Sequence, residues 1–358
     1  MQHGWSKLYH RSWMFLSHKQ NLSRNTVRNF DGLGLGRYVI RRLLYMIPLF
    51  LGISMISFVV MYAAGDPIQI ATAANPRITP GQQEALRKYY GLDQPVPVQY
   101  VNWLRNLLQG NFGNSFYGGR PVNELIGSWL WETVKLQLVS IVLSLVISIP
   151  MGIYAALKQY SKTDVAIEGV ALFGVSMPAF WIGIILILIF SYYLGWLPSA
   201  GAYGAPNLWR VFGVQDPTLD AIAHIILPAA VLTYLSLALN VRLIRASMLE
   251  VLRQDYILAA KASGLKNRTV IYKHALRNAI TPVVTFLGLS IGALLAGAPL
   301  TETVFSWPGL GRRFVTAAGN LDFPVVMGIT MLITIMTLVA NLVTDLSYAW
   351  IDPRIRVE

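Results

Sequence analysis

Cysteine is absent from the 358 residues. Disulfides, thiol nucleophiles and thiolate metal sites are excluded with it. The five histidines, His3, His10, His18, His224 and His274, are scattered, with no pair at ligand spacing on one helix, so no metal centre is expected. Charge is scarce as well, at 13% of residues against the roughly 25% of a soluble domain. The patterns GxxxxGK[ST], GxSxG and HExxH do not occur, so the chain carries no P-loop, nucleophile elbow or zincin site of its own. No carboxylate pair falls deep within an apolar run. Glu132, Lys135, Asp164, Glu168, Arg242, Arg245 and Asp345 all stand within about two turns of a run's end, where they reach the interface or each other. Glu132 and Lys135 are spaced to pair at i, i+3. Neither catalytic residues nor a cofactor are expected in this chain.

What the chain has in abundance is apolar sequence. Hydrophobic residues make up 54%, and the mean hydropathy is +0.50. A helix needs about 20 apolar residues to cross a ~30 Å hydrocarbon core. Six runs approach or exceed that length: 38–64, 133–157, 165–194, 224–248, 280–300 and 324–348. The fold class expected is an all-α membrane protein with six transmembrane helices. The first run is too long, and preceded by too many polar residues, for a cleavable signal peptide.

Lys and Arg set the orientation. Residues 1–42 hold eight basic side chains and one acid, and residues 242–278 hold eight and two, whereas residues 65–130 are nearly balanced at five and four. Lys158, Lys162, Arg354 and Arg356 fall on the same side as the two basic segments. Both termini are therefore expected in the cytoplasm. The net charge of +12 follows from this asymmetry and from anionic lipid; it is no argument for nucleic acid.

The expected organisation is a basic cytoplasmic extension over 1–36 and a transmembrane domain over 37–358. Within the latter lie an extracytoplasmic helical loop at 65–130 and a cytoplasmic loop at 249–278. The extension, with Trp5, Trp13 and Phe15 among basic residues, reads either as an amphipathic surface segment or as a disordered tail. In the outer loop, Thr79-Pro80-Gly81-Gln82 predicts a capped helix start, with a stop at Gly91. A second helix over 98–108 would place Tyr100, Trp103, Leu104 and Leu107 on one face and stop at Gly110. Ser176-Met177-Pro178 predicts a kink in the third run. Gly288, Gly292 and Ala296 form a small-xxx-small face that suits close packing, and beside it a pore-lining role. The turn 301–314, with Phe305, Trp307 and Pro308, reads either as part of an outer gate or as an interfacial anchor with Trp307 at headgroup depth.

The cytoplasmic loop is the most informative segment. About 30 residues is long for a helix–helix connection of roughly 2–8, and the loop is not Gly/Ser-rich. Ala259, Ala260, Ala262 and Gly264 would give a short helix a narrow face for a partner's groove. Arg253, Lys261, Lys266 and Arg268 would meet its polar rim, with Asp255 and Tyr256 opening the helix. The alternative is a solvated connector.

At this loop the chain resembles the permease subunits of binding-protein-dependent ABC importers. The run from Asp255 to Gly264, followed by Lys273-His274-Ala275-Leu276-Arg277-Asn278-Ala279-Ile280-Thr281-Pro282, is similar to their EAA loop, with Leu258 where many members carry an acid. Gly110-Asn111-Phe112-Gly113-Asn114-Ser115, the Ser176–Trp181 kink, the Glu302–Gly311 turn and the closing Asp352-Pro353-Arg354 resemble the dipeptide/oligopeptide/nickel branch, and the long outer loop its B-type permease. The resemblance covers about residues 37–356. It implies a homologous second permease, two P-loop ATPases holding ATP and magnesium, an extracytoplasmic solute-binding protein, and coupling to the ATPases through the Asp255–Arg268 loop. Peptide import is the substrate class expected, with oligosaccharides or nickel complexes as alternatives. A stand-alone channel or secondary transporter would need a polar pathway in one chain or inverted repeats, and neither is found.

Overall fold

The computed structural model describes residues 32–73, 79–204, 216–295 and 297–351. The expected extension over 1–36 therefore lies outside the described residues except for its last five, and Asp352-Pro353-Arg354 lies outside them too. Helices form every regular element described. α1 is Gly32–Ala63, α2 Pro67–Ala73, α3 Pro80–Tyr89, α4 Val96–Leu108, α5 Val122–Leu157 and α6 Lys162–Ser176. α7, Ala179–Leu186, runs on as a π-helical stretch, Ile187–Tyr193. α8 is Pro217–Val251 and α9 Asp255–Ala262, while α10 is assembled from Asn267–Thr269, π-helical Val270–Ala275 and Leu276–Ala279. α11 (Thr281–Leu295), α12 (Pro299–Val304), α13 (Leu310–Gly319) and α14 (Phe323–Ile351) follow.

Among the described residues, four helices are long and apolar enough to cross a membrane: Arg37–Ala63 of α1, α5, α8 and Phe323–Leu346 of α14. Two of the six expected runs depart from a single helix. The third is broken, not merely kinked: Lys162–Gly174 and Ala179–Tyr193 meet at 100°. Pro178 interrupts the helix, since a residue before proline is driven out of the helical region, and Met177 is extended at φ −93°, ψ 133°. The pair counts as a fifth span only if its two halves cross together. The fifth run forms α11, whose 15 residues rise about 22 Å, and the chain then turns through Gly297 at φ +79° into α12.

Two compact units are distinguished: the described residues up to Leu51 together with those from Leu346, and residues 52–345. In the first, Arg41 and Arg42 donate to the Tyr45 and Tyr38 hydroxyls at 3.2 and 3.0 Å, covering the basic end of α1 with aromatic rings.

The second unit is built around α5 and α8. α5 is apolar on nearly every face, so hydropathy alone does not say which side packs. Its buried residues do: Ser140, Ser144, Ser148 and Gly152 recur every fourth position, and small side chains let membrane helices approach closely. A Cβ at Gly152 would sit 2.7 Å from Ile244 of α8. Thr233 donates to the Ser140 carbonyl at 3.2 Å and Asn240 to the Ser144 hydroxyl at 2.9 Å. Such bonds average only about 0.6 kcal/mol in membranes, so close packing carries most of the pairing.

The outer loop folds as its caps dictate. Thr79 and Gln82 complete a reciprocal capping box. α3 and α4 each end on a left-handed glycine, Gly91 and Gly110. Tyr100 and Trp103 pack on Phe58 at ring distances of 5.3 and 6.1 Å, with the Tyr100 hydroxyl 2.8 Å from that of Ser54. The expected face of α4 is therefore its packed face.

Candidate docking site

α9 stands at the C-terminal ends of α5 and α8. Its N-terminus begins after extended Gln254, with Asp255 placed favourably for the helix dipole. Its C-terminus closes as a Schellman motif: Gly264 N–H donates to Lys261 O at 3.0 Å and Leu265 N–H to Ala260 O at 3.4 Å. That closure requires a left-handed residue, and Gly264 has φ +77°. The helix is anchored by Ile257, which is fully buried among Ile153 and Ala156 of α5, Ile244 and Met248 of α8, and Val270, Ala275 and Ala279 of α10. Ala260 packs partly on the same cluster, so the small residues are divided between two faces.

The opposite face is open. Tyr256, Leu258, Ala259, Ala262, Gly264 and Leu265 are exposed, as are Arg253, Asp255, Lys261, Lys266 and Arg268. Lys273 and Arg277 of α10 extend the basic rim. Tyr256 is oriented by Asn278, which donates to its hydroxyl at 2.7 Å. Apolar residues ringed by six cations and few acids suit a partner groove with an acidic margin.

Behind the helix, α6 and α8 are joined by charge. Arg245 donates through Nε and Nη2 to the two oxygens of Asp164, both at 2.7 Å, and its Nη1 lies 3.1 Å from Glu168. Asp164 is buried and also accepts from Tyr160 N–H at 2.9 Å. A bidentate Arg–carboxylate pair fixes orientation as well as distance. The α5–α6 turn and α6 are thereby tied to α8.

The outer turn has the opposite character. Glu302 is fully buried and its oxygens accept from Thr133 Oγ1 at 3.0 Å, Ala298 N–H at 3.3 Å and Arg312 N–H at 2.9 Å. Arg312 is in the first turn of α13, so Glu302 caps that helix from outside it. Glycine leaves room for the carboxylate: a Cβ at Gly309 would lie 2.6 Å from it, and one at Gly297 2.7 Å. Trp307 is 2% exposed and donates through Nε1 to Glu132 O at 3.0 Å. Phe305 is 2% exposed and packs with Leu227 and Val231 of α8 and with α7.

Family models match most of the chain. Residues 148–357 match the binding-protein-dependent transport system inner membrane component, and residues 35–137 the N-terminal model of the same membrane component. The chain belongs to this family. Among curated relatives, the oligopeptide transport system permease protein AppB of Bacillus subtilis is 44% identical over 320 residues, covering 89% of this chain and 98% of that protein. The dipeptide transport system permease protein DppB of Escherichia coli K12 is 39% identical, covering 89% and 98%. The di/tripeptide transport system permease protein DppB of Pseudomonas aeruginosa is 38% identical with the same coverage. The solved structure described as inward facing conformations of the MetNI methionine ABC transporter gives a TM-score of 0.46 at 16% identity, over 62% of this chain and 95% of that one.

This permease is thus a multi-pass component of the inner membrane. The expected docking residues are all exposed, except Ala260, which is half-buried. The pathway and gate candidates scatter. Ser176 and Pro178 are exposed at the α6–α7 break, with Met177 half-buried. A Cβ at Gly288 would meet nothing within 4 Å, while its carbonyl accepts from Thr344 Oγ1 of α14 at 3.2 Å; Gly292 lies in the same helix. Phe305, Trp307 and half-buried Pro308 belong to the subunit's own core. An interfacial anchor needs an indole at the surface, and the burial of Trp307 corrects that reading. Sequence reasoning passed over Ile257 and the Glu302 cage. The stripe Ser140, Ser144, Ser148 and Gly152 was legible at four-residue spacing and was also passed over. The expected Glu132–Lys135 pair is present at 2.7 Å.

Proposed function

We propose that this permease imports di- and oligopeptides as part of an ATP-driven complex, with a homologous second permease, two cytoplasmic P-loop ATPases and an extracytoplasmic binding protein. Peptide as the solute is supported by what the 38–44% identical relatives are named for. The observation that carries the coupling role is the division of α9: Ile257 is buried in the permease, while its apolar, cation-rimmed opposite face is left open. A helix held this way would transmit force from an ATPase groove into α5 and α8. The Arg245–Asp164–Glu168 lock would pass the same displacement to α6, so the helices would move as a body between two states. ATP and magnesium would be held by the ATPases, and the solute pathway would lie between the two permeases.

The test is Ala259→Trp. Ala259 is exposed and helical, so the variant should insert and assemble normally, with uptake of radiolabelled dipeptide reduced at least tenfold. Gly264→Trp is a poorer probe, because its left-handed backbone would strain under any side chain. Normal uptake by Ala259→Trp would defeat the docking reading. Uptake of an oligosaccharide or a nickel complex, with none of peptide, would replace the substrate class and leave the coupling intact.

A further inference from the structure

The outer loop borders a half-open cavity of about 790 Å³, lined by the end of α1, by α3 and α4, by residues 111–116 and by the start of α14. That volume is within the roughly 300–1,000 Å³ of small-ligand sites. The lining is of mixed character. One side carries the Asp66–Arg87 ion pair, in which Asp66 Oδ1 is already committed to the α2 backbone, accepting from Ile68 N–H at 2.9 Å. Arg87 has five N–H donors, and among the described residues only Nη2 is engaged, on Asp66. The Asn106 and Asn114 carboxamides face the cavity without a described intramolecular hydrogen-bond partner. Trp103 and Tyr90 supply ring surface, and Tyr90 is braced edge-on by Phe116 at 4.6 Å.

Spare guanidinium donors match a carboxylate bidentately. Free carboxamides both donate and accept, as a peptide unit requires, and ring faces take an apolar side chain. We infer that this cavity is an accessory binding site for the carboxylate end of a short peptide, on the outer loop and separate from the pathway between permeases. The inference rests on the peptide-import reading above. The peptide's terminal carboxylate engages Arg87, its amide bond meets Asn106 and Asn114, and its last side chain lies against Trp103 and Tyr90. Such a site would hold solute at the outer face during transfer from the binding protein.

The test is equilibrium dialysis of the assembled transporter in nanodiscs, freed of binding protein, against radiolabelled Ala-Phe and its C-terminal amide. The expected result is saturable binding of the acid, at least tenfold weaker binding of the amide, and a tenfold loss for the acid in Arg87→Gln. Asn106→Leu, which leaves the ion pair in place, should weaken both ligands about threefold. Equal affinity for acid and amide, or acid binding unchanged in Arg87→Gln, would overturn the site. If Arg87→Gln instead raises the concentration of binding protein needed to stimulate ATP hydrolysis while peptide binding is unaltered, the cavity receives a protein surface and the inference fails. Peptide uptake measured in parallel separates the two claims: uptake without cavity binding removes only the accessory site, whereas absence of peptide uptake removes the import reading.

Discussion

The turn after α11 and the helix α9 are satisfied in opposite ways. At the outer turn, Glu302 finds three donors within its own chain, Trp307 finds the Glu132 carbonyl, and glycines at 297 and 309 leave room for the carboxylate. At α9, a single side chain, Ile257, is fully buried, while Tyr256, Leu258 and Leu265 remain open beside a row of cations. A buried polar cluster with every member answered rigidifies what surrounds it. An apolar surface left unanswered beside one anchor is poised to be completed by another molecule. On the proposed coupling role, the first region stays as it is and the second is moved.

Three variants sharpen that contrast. Glu302→Ala should have the largest effect. It strips the acceptor from two backbone N–H groups and one hydroxyl, at about 1–3 kcal/mol for each donor left buried. The detergent-solubilised protein should lose most of its folded fraction in a thermal scan, and a melting temperature close to the parent's would mean that the cage is not a structural centre. Ile257→Ala should cost about 2–5 kcal/mol at its site, but the loss should stay local. Amide exchange should accelerate over residues 255–265 while the α5–α8 core keeps its protection. Loss of protection throughout would show that α9 is part of the core and no separable lever.

The smallest effect concerns Asp322, just before α14, which is 4% exposed. Its carboxylate accepts from the Ser115 hydroxyl and from Phe116 N–H at 3.1 Å. Burial pushes its pKa up, against the opposing pull of these hydrogen bonds. With the folded pKa above the unfolded one, the folded state holds more protons between the two values. Stability therefore falls as pH rises through that window and is level above it. Asp322→Asn should flatten this slope in thermal scans run from pH 3.5 upward; an unchanged slope would assign the pH dependence elsewhere.

What could be read in the sequence was local chemistry. Thr79 with Gln82 and the stops at Gly91 and Gly110 are decided by neighbours within a few positions, and each has its expected form. The third run shows the limit. Pro178 announces a disturbance, but whether the chain kinks or breaks at 100° depends on what α7 packs against, and Phe305 supplies that contact from 127 positions away. Glu302 reads as a polar residue in a turn because nothing nearby reveals that Thr133 and the start of α13 will enclose it. Ile257 is one apolar residue in an alanine-rich helix, and only the closure of α5, α8 and α10 around it makes it an anchor.

The most direct measurement uses the absence of cysteine. Ala259→Cys creates a single thiol on the open face of α9, which can carry a benzophenone photo-crosslinker in the assembled transporter. The account predicts a crosslink to an ATPase subunit, with a yield that changes when nucleotide is added. A thiol that reacts freely with small reagents in the assembled complex, and yields no ATPase adduct on illumination, would contradict it.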